Sequence, residues 1–95
     1  MVKLWTVNRT DAIEYDQYSM FVVAAPTAEL ARRQSPDHFD HWDEARRVFV
    51  DNDDGEPVRY TSWTNDIDSL TVTEIGTAVD GTVTGTVLCA SFNAG

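Results

Sequence analysis

The chain contains one cysteine, Cys89, and one lysine, Lys3, among 95 residues, and its longest apolar run extends only from Met20 to Ala25. A single cysteine excludes an intramolecular disulfide framework and suits a reducing compartment. An apolar run this short excludes a transmembrane helix, which needs about 20 apolar residues. Asp11 and Glu14 follow the first apolar residues too closely for a secretory signal. P-loop, dinucleotide fingerprint and G-x-S-x-G elbow are all missing. The two histidines sit in one short acidic segment and do not compose a Ser-His-Asp arrangement. With sixteen acids to choose from, a carboxylate pair for acid–base catalysis cannot be picked out by position. These absences point away from an enzyme.

What remains is a globular composition, 42% hydrophobic and 11% aromatic. The length fits one domain over residues 1–95. Sixteen acidic residues face seven basic ones, for a formal charge of −9. Such a surface repels phosphates and anionic membranes, so direct nucleic-acid binding and membrane association are not expected. All basic residues but Lys3 are arginine, and aspartate outnumbers glutamate. A GC-rich coding genome, adaptation to high salt and selection for a basic partner would each produce this balance.

Lys3 to Arg9 alternates with period two and reads as a strand, with Trp5 and Val7 on the core side. Met20 to Ala25 reads as a central buried strand after a polar turn over Thr10 to Ser19. Pro26-Thr27 opens a short helix capped by Thr27, which Pro36 forbids from continuing. Ser35-Pro36-Asp37 is a second helix start, with Phe39, Trp42 and Ala45 at a spacing of three. Arg46 to Val50 and Val58 to Trp63 read as a hairpin across the turn Asp51 to Gly55. Leu70 to Ile75 and Thr86 to Phe92 are the last strands, and Cys89 within the apolar Val87 to Phe92 reads as a small core residue. The expected fold is α+β: an antiparallel sheet of four to six strands, one face covered by one or two short helices.

Three constellations bear on function. On a helix, His38 and His41 share a face with Asp37 one turn away, a candidate set for zinc or another transition metal. The spacing differs from the i, i+4 pattern of catalytic zinc helices, and an acidic first helical turn with surface histidines explains it better. Asp51 to Glu56 resembles a calcium loop, but its glycine comes one place early and position twelve is Ser62. A hairpin turn explains it better. Finally, Asp51, Asp53, Asp54 and Glu56, with Asp66 and Asp68, form the densest acidic region, and Trp63 lies beside it. Aromatics next to carboxylates are typical interface anchors. A solvated, aggregation-resistant edge is the competing explanation.

The stretch Lys3 to Asp11, then Tyr15 to Tyr18, Phe21 to Ala25 with Ala31-Arg32, and the ending Ala90 to Gly95 resemble small hypothetical proteins of bacteriophages and prophages of GC-rich hosts. The resemblance covers about half the chain and contains no catalytic motif. It implies a phage origin and a location in the host cytoplasm, and carries over no functional residues. The expected function is that of a small acidic, non-enzymatic interaction factor without cofactor, binding a host or phage protein, of which a DNA-mimicking or host-defence inhibitor is one form. Two alternatives stay open: an oligomeric small-ligand or metal-binding domain, and a virion structural component. An unpaired strand such as Thr86 to Phe92 would allow a homo-oligomer by strand addition.

Overall fold

Alternation in the first two strands builds the centre of the fold. The computed structural model describes residues 2–11, 13, 16–58 and 62–93. β1 (Lys3–Asn8) and β2 (Gln17–Ala25) pair antiparallel, with Trp5 opposite Val23 and Val7 opposite Phe21. These four side chains lie on one face and are buried. The Trp5 indole N–H donates to the Ala25 carbonyl at 2.8 Å, which satisfies its one polar atom inside the core. β5 (Thr71–Thr77) adds to the free side of β1 and β6 (Val87–Asn93) to the free side of β2, giving the order β5-β1-β2-β6.

Residues 26–58 and 62–70 roof the face bearing Trp5 and Phe21. α1 (Ala28–Arg32) begins at Thr27, whose hydroxyl accepts from the Leu30 amide, and buries Ala31 completely. A two-stranded ribbon follows, β3 (Asp40–Asp43) against β4 (Val48–Asp51), in which Trp42 opposes Phe49 edge-on at 5.0 Å. A 3-10 turn, Ile67–Ser69, places Ile67 and Leu70 in the same core. The Arg32 guanidinium holds that turn through the carbonyls of Ile67 and Leu70. The architecture is therefore mostly antiparallel sheet with one short helix.

Three expectations are corrected here. No second helix forms over residues 35–45. Ser35 Oγ accepts from the Asp37 amide and Asp37 Oδ1 from the Phe39 amide, so side chains compete for the groups a helix would use. The segment then straightens into β3, where Trp42 meets Phe49. β4 takes β3 as its ladder partner, and of the expected hairpin with residues 58–63 the described residues show only a Val50–Pro57 bridge, with bonds from the Asp51 amide to the Glu56 carbonyl and from the Val58 amide to the Phe49 carbonyl. Pro57 cannot donate to a ladder, and residues 59–61 lie outside the described residues. Cys89 is exposed rather than in the core, because it faces outward opposite Val22.

β5 and β6 lie at opposite edges, so residues 78–86 must cross the ends of β1 and β2. The Gly85 amide donates to the Ala24 carbonyl, and the Ala24 amide donates to that of Thr86. Gly85 has φ +95°, a backbone conformation that strains any residue with a Cβ, so this position favours glycine. Beneath the crossover is an apolar recess of 210 Å³ walled by Leu4, Ala78, Val79 and Leu88. The hydroxyls of Thr82 and Thr86 on its rim already donate to backbone carbonyls. Among the described residues, no helix is long and apolar enough to cross a membrane.

Candidate functional site

The β3–β4 ribbon brings like charges together at its open end. Asp40 is the direct cross-strand partner of Asp51, a placement that is normally unfavourable. Asp37, just before β3, adds a third carboxylate. Asp40 is half-buried, and its Oδ1 has no hydrogen-bond partner. Burial pushes its carboxyl above the ordinary carboxylate range, with a hydrogen bond to Ser35 opposing and the charges of Asp37 and Asp51 adding to the rise. The Ser62 hydroxyl donates to Asp37 Oδ2 at 3.4 Å.

The loop after β4 carries the rest of the acidic group. Its backbone is folded by its own carboxylates: Asp51 Oδ1 accepts from the Asp53 amide at 2.7 Å, and Asp54 Oδ1 from the Glu56 amide at 2.9 Å. Gly55 takes φ +71° to close the turn. Asp53, Asp54 and Glu56 are exposed. The Arg46 guanidinium touches this loop, but at the Gly55 carbonyl, while its Nε pairs with Asp43.

The cations among the described residues are spent elsewhere. Lys3 pairs with Glu74, Arg9 with Asp11, Arg32 and Arg33 with Glu29, and Arg33 and Arg47 both with Glu44. The paired carboxyls of Asp11, Asp43 and Glu44 sit below their usual range because guanidinium hydrogen bonds favour their charged forms. Asp37, Asp40, Asp51, Asp53, Asp54 and Glu56 form no ion pair with any described residue. Negative charge is thus concentrated at one end of the ribbon.

The residues singled out from sequence divide accordingly. Asp51, Asp53, Asp54 and Glu56 form one group. Asp66 and Asp68 do not join it: Asp66 precedes the 3-10 turn and Asp68 lies within it, paired with Arg47 at the other end of β4, 3.1 Å away. Trp63 is no interface anchor. It is 1% exposed and packs edge-on against Phe21 at 5.0 Å, with the Arg9 guanidinium 5.9 Å from its ring centroid. Tyr18, in the segment expected to be a polar turn, belongs to β2 and is half-buried against the core, whereas Tyr15 and Tyr60 lie outside the described residues.

The metal candidates lose their geometry. His41 is on a strand and His38 in the turn before it, so the shared helical face does not exist. His41 Nδ1 donates to Asn52 Oδ1, since the Asn52 amide group donates in turn to the His38 carbonyl. Among the described residues, no three His, Cys, Asp or Glu side chains are grouped to hold a metal ion. Asp40 was not legible as a site residue, because its proximity to Asp51 depends on the ribbon register. The pairing of Trp42 with Phe49 across the Glu44–Arg47 turn is the signal that would have found it. Comparison with protein-family models, curated proteins and solved structures finds no match to this chain.

Proposed function

We propose that the protein is a small acidic, non-enzymatic interaction factor that docks the open end of its ribbon onto a basic surface of another protein. The observation that supports this reading is the segregation of charge. Described cations are consumed in local ion pairs, whereas Asp37, Asp40, Asp51, Asp53, Asp54 and Glu56 have none. A basic partner would supply what these groups lack, and the field they set up would speed the encounter. The carboxylates of the loop are held by its own hydrogen bonds, which lowers the ordering cost of docking. In the setting that the sequence resemblance implies, the protein is a phage accessory factor acting on a host or phage protein in the host cytoplasm.

The test is a titration with an arginine-rich peptide as a stand-in for a basic surface, followed by amide NMR shifts. Shifts should concentrate in residues 37–56 and weaken steeply with salt. The quadruple variant D51N/D53N/D54N/E56Q should bind about tenfold or more weakly. Undiminished binding by that variant, or shifts centred elsewhere, would sink the reading.

A further inference from the structure

We propose that β6 is a self-association edge, through which two copies join antiparallel into one continuous eight-stranded sheet. The order β5-β1-β2-β6 leaves one side of β6 without a strand among the described residues. Such an edge presents a row of backbone donors and acceptors, and monomeric proteins usually blunt it with charge, proline or a cover. β6 carries neither charge nor proline in its sequence, Val-Leu-Cys-Ala-Ser-Phe-Asn, and its one skipped residue, Leu88, lies at the end away from Ser91. From Ile75 to Asn93 the only charged side chain is Asp80. The opposite edge differs: β5 contains Gly76 and carries Glu74, which is ion-paired to Lys3.

The charge balance selects a second copy as the occupant. Two molecules of charge −9 repel at almost any other approach, but an uncharged edge meeting itself opposes no like charges. An edge built to recruit a foreign strand to an acidic protein would gain from charge of its own, and β6 offers only backbone groups and short or apolar side chains. Two antiparallel copies of one edge are related by a two-fold axis, so the contact closes on itself. With Ser91 on the axis, Ala90 lies opposite the partner's Phe92, a small side chain against a large one. Ala90 and Phe92 lie on one face, since they pair with Phe21 and Tyr18 across the β2 bulge, and Phe92 is 45% exposed. A seven-residue strand is about 23 Å long, so the contact falls at the small end of specific interfaces, roughly 1,000 Å² in total. The dimer is therefore concentration-dependent, and added salt strengthens it by screening repulsion.

Sedimentation of the whole chain over a wide concentration range, at low and high salt, reads the association. The expected result is a monomer–dimer equilibrium favoured by salt. Ser91→Lys, which places two like charges at the axis, should weaken it about tenfold or more, while Thr73→Lys on β5 leaves it unchanged. Thermal melts establish that both variants fold. A nitroxide on Cys89 supplies a readout independent of Ser91→Lys: in the proposed dimer the two labels lie within about 25 Å, given strands about 4.8 Å apart. A monomer at every concentration and salt, a dimer indifferent to Ser91→Lys, or a dimer whose labels lie farther apart would overturn the proposal. Because β6 contributes no residue to the acidic group, failure here leaves the docking of a basic partner to be judged by its own titration.

Discussion

The roof, residues 26–58 and 62–70, and the tail, residues 75–93, handle their surfaces in opposite ways. The roof holds most of the charge and buries Phe49, Trp63 and Ile67 beneath it. The tail is nearly uncharged, yet leaves Val79, Val83 and Leu88 more than half exposed. A composition average of 24% charged residues describes neither region. In the roof, apolar side chains anchor a platform for carboxylates. In the tail, apolar side chains are left at the surface, on the edge strand and beside the recess. The difference shows that acidity here is a local property with a location.

The strongest challenge to this contrast is Trp63→Ala. If Trp63 anchors the roof, its loss should cost about 3–5 kcal/mol, a large share of the 5–15 kcal/mol typical of a whole domain, and denaturant titration should show a collapsed midpoint. A cost below about 0.5 kcal/mol, normal for a surface position, would return Trp63 to the exterior. Arg47→Ala tests whether the roof's cations matter as a set, since Arg47 bonds Glu44 and Asp68 and lies 5.4 Å from the Trp42 ring centroid. The expected loss is about 1 kcal/mol, read as a Tm drop of about 4–8 °C.

Asp40→Asn should act in the other direction. The Asp40 carboxyl is raised in the fold by burial first, so its charged form opposes folding above the raised pKa, and its neutral form is accepted at no cost below the unfolded value. The amide variant should therefore melt higher at neutral pH, by about 2–5 °C. The gap should shrink as pH falls through the raised pKa and close below the unfolded one, where both side chains are neutral. A gap of the same size at all pH values would show that packing, not charge, separates the two proteins. The smallest effect belongs to the tail: Val79→Ala, at a side chain 82% exposed, should change stability by less than about 0.5 kcal/mol. A larger loss would mean that the crossover is a packed element like the roof.

The elements that were legible in the sequence are those whose cause is local. Alternation placed β1 and its core side chains Trp5 and Val7, because period two is a property of the strand itself. The apolar run placed β2, Thr27 marked the start of α1, and the net charge announced an acidic surface. The ribbon reads as a helix in sequence because Phe39, Trp42 and Ala45 recur at a spacing of three. Only the Trp42–Phe49 contact and the Ser35 and Asp37 side-chain bonds to the backbone make the extended form the better one.

Sequence alone thus determined the amount of charge and the identity of the central hairpin. Tertiary structure decided where the charge is free. It paired Asp68 with Arg47, buried Trp63 under β2, and set Asp40 against Asp51. It also exposed Cys89 by placing β6 at an edge. The physical reason is that burial and ion pairing depend on which distant segments meet, and no window of neighbouring residues contains that information.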